Sequence, residues 1–414
     1  MDAEPSDTGE INARSILDQP HKNQNKVGLI KDKYSLITPD IDFNSEPDYE
    51  SVNLTHNYYE YEQGQANIIV KDRLKNHISF WESIGCYDYI LDTIFNGYKI
   101  PFYSTPPSVC LPNNRSAINH SEFVTEAIHD LLIRGLIEEC DKQPYVVNPL
   151  TVSASNNRKK RLILDLRHVN KHLWKTSVKF EDIRIAMEFI KNNSFCFQFD
   201  IVSAYHHINI FIPHTEFLGF SWKCDDTIKW YKFLVLPFGL SSACYIFTKV
   251  TRPLIKKWRG EGKQVLMYLD DGLGTHTDKG ICRTMSEQVE QDFIMSGFVP
   301  KNEKSKWFPV QNVTFLGYFI DTDKSIIKIP DDRLDKVLRT INDIELYIMK
   351  FGQVHVRLVA SLVGQIVSMA YVIGNVAYIM TKYLSIDILD KTSWNSCMEL
   401  TENSLHQINF WKKI

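Results

Sequence analysis

Two apolar stretches of this chain end in carboxylates, and any fold it adopts has to dispose of them. Phe195, Phe197 and Phe199 alternate in FCFQFDI, a strand pattern, and Asp200 follows directly. QVLMYL leads straight into Asp270-Asp271, and GLGTH leads away, a β-hairpin with acids at its tip. Asp200 lies 70 residues before Asp270, so these acids meet only by folding, most simply on adjacent strands of one sheet. Asp225-Asp226 and Asp331-Asp332 are also acidic pairs, but no comparable apolar strand leads into them, and they are given no role.

A chain of 414 residues exceeds one compact core, which predicts several subdomains. No uninterrupted apolar stretch is long enough to span a bilayer, so no membrane partner is expected. The acidic, polar start MDAEPSDTGE does not read as a signal peptide. The eight cysteines are scattered with no C-x-x-C pair, which predicts reduced thiols in an intracellular protein and no zinc module. Residues 1–70 hold 13 acids and 5 bases, whereas the remainder is net basic, as suits a polyanion partner. The leader 1–70 lacks periodicity and is expected to be largely disordered. Its triplet Asp7-Thr8-Gly9 echoes an aspartic-protease site but lacks the apolar strands such a site needs.

From residue 71 the pattern becomes globular. Leu74, Ile78, Trp81 and Ile84 fit one helix face, and residues 71–109 read as a helical extension. Val124, Ile128, Leu131 and Leu132 fit another helix, capped near Gly135. PLTVSA and RLILDL flank the basic turn Asn156-Asn157-Arg158-Lys159-Lys160, a second hairpin. Residues 242–258 read as a helix, and TFLGYFI with SIIKI as a hairpin around Asp321–Lys324. After Pro330, Leu334, Val337, Leu338, Ile341 and Ile344 repeat at helical spacing, and a further apolar helix covers about 356–371. The tandem histidines His206-His207 are expected on opposite faces of a strand, one of them structural.

Clustered carboxylates at strand tips suit divalent metals. Joining a 3′-hydroxyl to the α-phosphate of a nucleotide calls for two ions about 3.5–4 Å apart. Mg²⁺ prefers oxygen and binds through one or two carboxylates plus substrate phosphates. Several blocks, in order, carry a resemblance that sharpens this reading. RLILDLRHVNKHL, FQFDIVSAYHHINI, LPFGLSSACYIFTKV, YLDD, and GFVPKNEKS followed by FLGY resemble the successive blocks of reverse transcriptases from retroelements. KDRLKNHISFWESI, GYKIPF and VRLVASLVGQIVSMA look most like the DIRS-like group, which carries a tyrosine recombinase. The resemblance covers about residues 71–414.

It implies an α+β right-hand polymerase with an antiparallel palm sheet. Fingers and palm would occupy 110–330, and a helical thumb or connection 331–414, with no RNase H signature. The implied reaction is RNA-directed DNA synthesis from dNTPs on an RNA or DNA template with a primer. RNase H and recombinase domains of the same element would be further partners. Asp200, Asp270 and Asp271 would be catalytic and would hold two Mg²⁺ ions, with Mn²⁺ as an alternative. Tyr205 would lie under the incoming sugar and exclude a 2′-hydroxyl. Arg161, aided by Lys160 and Lys159, would reach the triphosphate, since a planar guanidinium suits phosphate oxygens. Phe238 and Gly239 would border the nucleotide and template base, and Lys304 would protonate the leaving pyrophosphate. Asp165 and Arg167 would brace the fingers, and the 315–329 hairpin would hold the primer end.

The chain departs from the family pattern at three places. Val152-Ser153-Ala154-Ser155 stands where many relatives carry Pro-Lys, Cys244 where they often have proline, and Val202 where lysine is common. None removes a catalytic acid. The alternatives are a catalytically silent nucleic-acid-binding relic or fragment, and an RNA-dependent RNA polymerase, which Tyr205 argues against.

Overall fold

The computed structural model describes residues 68–154, 160–224, 227–391 and 393–413. The leader, Asp7-Thr8-Gly9, Asp225-Asp226 and most of the basic turn, including Lys159, lie outside them. The centre is a four-stranded antiparallel sheet of β6 (Phe195–Phe199), β9 (Gln264–Tyr268), β10 (Asp271–His276) and β11 (Lys306–Val310), in the order β11-β6-β10-β9. Gly272 stands opposite Phe199 and Gly274 opposite Phe197, and β10 folds back on β9 with Asp271 opposite Tyr268. The GLG run is dictated by the facing strand. A Cβ on Gly272 would come within 2.0 Å of the Phe199 ring, and one on Gly274 within 2.1 Å of the Phe197 ring. Strand β11 forms the edge; its register slips between Lys306 and Val310, and Pro309 is tolerated there because an edge strand has N–H groups to spare.

Two helices cover this sheet. α2 (Ala243–Gly260) and α3 (Lys279–Met295) bring Trp258 and Phe293 against Phe199, with ring centroids 6.1 and 5.1 Å away. Trp307 on β11 lies parallel to Phe199 at 5.5 Å. The short helices Arg73–Asn76 and Ile78–Ser83 dock on the same core, where the buried Trp81 donates its indole N–H to the Ser296 carbonyl at 2.9 Å.

A second sheet of five strands is mixed, in the order β1-β3-β7-β8-β2: β1 (Val109–Cys110), β2 (Ile137–Cys140), β3 (Val146–Asn148), β7 (Gly219–Cys224) and β8 (Thr227–Phe233). Helix α1 (Ser121–Ile133) packs beside it, and Gly135, at φ 64°, turns the chain into β2 as expected. The expected fingers hairpin is present as β4 (Leu150–Ala154) and β5 (Lys160–Leu164), with Leu150 opposite Leu164.

The region after β11 differs in detail from expectation. TFLGYFI is not one strand. It breaks at Leu316-Gly317, both at positive φ, into β12 (Asn312–Phe315) and β13 (Tyr318–Asp321). β14 (Ile326–Lys328) completes a three-stranded sheet. The helices α4 (Asp331–Phe351) and α5 (Val356–Val367) then gather a separate apolar cluster with Ile341, Ile344, Val359, Leu362 and Trp411 buried in it. Asp331 and Asp332 fill the first turn of α4, where carboxylates complement the helix dipole. Among the described residues no helix is long and apolar enough to cross a membrane. All eight cysteines are free. The architecture is α+β, with the four-stranded antiparallel sheet at its centre.

Candidate active site

The site is built on the tips of β6, β9 and β10. Antiparallel pairing of Gly272 with Phe199 carries Asp271 alongside Asp200, one step further along each strand. The β9–β10 turn has two residues, Leu269 and Asp270. Hairpins this tight need a positive φ, and Leu269 supplies it at 54° without being glycine. That strain is held by burial of the leucine in the main core.

Asp200 is 5 % exposed and Asp270 6 %. The Asp200 N–H donates to the Ser305 hydroxyl at 3.2 Å, and the Lys301 N–H donates to its carbonyl at 2.7 Å, so its backbone is pinned from the loop before β11. Lys304 Nζ lies 3.4 Å from Asp200 Oδ2. Oδ1 of Asp270 is buried and has no hydrogen-bond partner. Burial, then the charges of Asp271 and Asp200, push the Asp270 carboxyl well above its usual range, against the pull of Lys304. Burial and the Asp200 charge likewise push Asp271 up to about 6. The three acids therefore share one electrostatic environment, short of positive charge.

The other expected residues surround them unequally. Tyr205, 8 % exposed, lies within electrostatic reach of Asp270, and burial raises its phenol well above the ordinary value. Its ring contacts Phe238 and Phe247, at centroid distances of 5.0 and 5.4 Å. Its hydroxyl meets Cys244 Sγ at 3.0 Å. Gly239 has to be glycine because of its own protein neighbour. At φ 101°, a Cβ there would meet the Leu164 carbonyl oxygen of β5 at 2.4 Å. Asn170 ties this loop to the short helix Arg167–Asn170, donating to the Gly239 carbonyl at 2.8 Å and accepting from the Ser241 N–H at 2.9 Å. Arg161 and Lys160 lie on β5, opposite Ser153 and Ala154, with Lys160 Nζ 5.9 Å from the Phe123 ring centroid. Arg167 grips Asp165 through Nε and Nη2 at 2.7–3.1 Å, a bracing pair.

The expectation for the tandem histidines is corrected. His206 and His207 lie in a 3₁₀ turn, Ala204–His207, and both are buried rather than split across a strand. Burial holds both imidazoles down, His207 at about 3, and His207 Nε2 accepts from the Val299 N–H at 3.2 Å. Sequence reasoning assigned no part to Ser305 or Asn170. Both stood inside quoted blocks, but each acts on backbone groups, which residue type alone does not reveal.

Residues 153–320 match the family model described as reverse transcriptase (RNA-dependent DNA polymerase). The chain is 26 % identical over 208 residues to the retrovirus-related Pol polyprotein from transposon gypsy of Drosophila melanogaster, covering 49 % of this chain and 19 % of that protein. It spans about a fifth of the length of the curated relatives it matches. In structure it resembles the foamy viral protease-reverse transcriptase dRH in complex with double-stranded DNA, at TM-score 0.59 and 16 % identity, over 83 % of this chain and 59 % of that one. A foamy viral protease-reverse transcriptase in complex with RNA/DNA hybrid aligns at TM-score 0.56 and 16 % identity, over 83 % and 45 %. Residues 153–320 thus match the reverse transcriptase family model, and the chain shares the right-hand polymerase fold of the foamy viral enzymes.

Proposed function

We propose that this chain is an RNA-directed DNA polymerase of a retrotransposon, extending a primer with dNTPs on an RNA or DNA template. The observation that carries the reading is the meeting of Asp200, Asp270 and Asp271 at one sheet edge, with a buried, unpartnered oxygen on Asp270. Burying three carboxylates together beside the single cation of Lys304 is costly, and a metal cation relieves that cost. The residues fit Mg²⁺. Among the described residues no three His, Cys, Asp or Glu side chains form a ready-made cage. Mg²⁺ needs none, because substrate phosphates complete its shell. Asp200 and Asp270 would hold two ions, with Asp271 in the same cluster and Mn²⁺ as the alternative. The ions, when bound, lower the pKa of the attacking hydroxyl and neutralise charge on the leaving oxygen.

The protein's own groups would do the rest by position and electrostatics. Arg161, with Lys160, would bind the triphosphate. Phe238 and the backbone at Gly239 would border the nucleotide. Tyr205 would press on the sugar and reject a 2′-hydroxyl. Lys304, 3.4 Å from Asp200 Oδ2, would hold a proton for the departing pyrophosphate. Nucleic acid would bind mainly through its phosphates and so weaken with salt. The separate apolar clusters support a division into fingers and palm (110–330) and a helical thumb or connection (331–414). The DIRS-like phrases support that subgroup, in which a recombinase and RNase H would accompany the polymerase.

Primer extension on an RNA template with dNTPs and Mg²⁺, comparing wild type with Asp270→Asn, tests the reading. Extension lost in the variant supports it. A folded wild type that binds template yet extends nothing would overturn it in favour of a silent relic.

A further inference from the structure

Cys244 occupies the second position of α2, and its thiol meets the Tyr205 hydroxyl at 3.0 Å. Two rings already clamp Tyr205: Phe238 is tilted against it at 5.0 Å, and Phe247 meets it edge-on at 5.4 Å. Ring contacts of this kind fix the plane of an aromatic side chain but resist sliding along its long axis only weakly. The hydroxyl tether acts along that axis. Cys244 also lies within electrostatic reach of Tyr268, the last residue of β9, and Tyr205 within reach of Asp270. The thiol therefore stands between two tyrosines that flank the catalytic turn. Cys244 is only half-buried, and no other described hydrogen bond occupies its sulfur.

Resting on the polymerase reading above, we propose that Cys244 is a positioning residue for sugar selection. By holding the Tyr205 hydroxyl, it sets how far the ring reaches toward the 2′ position of an incoming nucleotide. A gate that works by contact is sensitive to displacements of a fraction of an ångström, because repulsion rises steeply once atoms overlap. A proline at this position, which has no donor or acceptor in its side chain, would leave the phenol untethered. This chain's departure from the family pattern thus becomes a determinant of its selectivity.

The test compares kcat/KM for dNTP with that for the matching rNTP in wild type, Cys244→Ala, Cys244→Ser, Tyr205→Phe and the double variant Tyr205→Phe/Cys244→Ala. A net hydrogen bond is equivalent to roughly a two- to tenfold change. Cys244→Ala and Tyr205→Phe should each lower the dNTP preference by about that factor. Cys244→Ser should keep it, and the double variant should lose no more than either single change, because both remove one contact. The same cycle read by urea unfolding reports the contact without reference to catalysis, and Tyr205→Phe and Cys244→Ser serve if Cys244→Ala folds poorly. An unmoved preference in folded Cys244→Ala or Tyr205→Phe, or fully additive losses, overturns the proposal alone. A wild type that extends no primer overturns the polymerase reading and this one with it, whatever the unfolding cycle shows.

Discussion

Asp271 is held at about 6 by burial and by Asp200, so at neutral pH the metal-free protein keeps a charge its surroundings oppose. The sign follows from linkage. A carboxyl whose folded pKa exceeds its ordinary value of 3.8 binds its proton more tightly in the native state. It therefore stabilises the fold at low pH, and that contribution is lost as pH rises from about 4 through about 6. Metal-free Asp271→Asn should accordingly be more stable than wild type at pH 8, by on the order of 1–3 kcal/mol, and the gain should vanish near pH 4. Urea unfolding in EDTA at both pH values checks this; equal stability at pH 8 would show that the repulsion is relieved some other way. Catalysis should run opposite to stability. At limiting Mg²⁺, primer extension should weaken as pH drops toward the metal-free value of about 6, because protons then compete with the cation for the carboxyl.

At the scale of elements, the hairpin of β9 and β10 owes its shape to a left-handed leucine on one side and two glycines on the other. Gly272→Ala would force the Phe199 ring out of its place between Trp258, Phe293 and Trp307. A loss of about 1–3 kcal/mol is expected in denaturant titrations, as for other overpacked cores. Gly239→Ala should cost at least as much, since its Cβ meets backbone rather than a movable ring, and it should loosen the Asn170 link to the Gly239 loop. Much of this was legible in sequence because alternation and turn chemistry are local: FCFQFDI, the YLDD hairpin, the β4–β5 pair and the helix after Pro330 all appear where the pattern put them. The meeting of Asp200 with Asp271 was legible only as a requirement, since register is set by long-range pairing. The break at Leu316-Gly317 and the 3₁₀ turn at His206-His207 were missed because apolar runs look alike whether the backbone extends or turns. The packing of Gly239 on Leu164 was not legible for a similar reason: sequence shows that a glycine is present, not which neighbour demands it.

Across the whole molecule, the helices after residue 330 keep their own core and are pinned to the rest by side chains that include Arg333 and Tyr318. Arg333 donates to the Gly317 carbonyl at 2.6 Å and to the Ser368 hydroxyl at 2.7 Å, while the Tyr318 hydroxyl donates to the Ser368 carbonyl at 2.6 Å. Arg333→Ala should leave addition of a first nucleotide near wild type but shorten products made in the presence of a heparin trap. Products of unchanged length would mean that this pin does not matter once nucleic acid is bound. The aromatic stack behind the catalytic strand has a practical consequence. Trp307 lies flat on Phe199, whose neighbour in the chain is Asp200, and Trp258 stands edge-on to the same ring. Two indoles thus pack on the ring one residue before Asp200, and their fluorescence becomes a built-in optical reporter of that strand: a change in emission on adding Mg²⁺, diminished in Trp307→Phe, would let cation occupancy be followed in real time with no label attached.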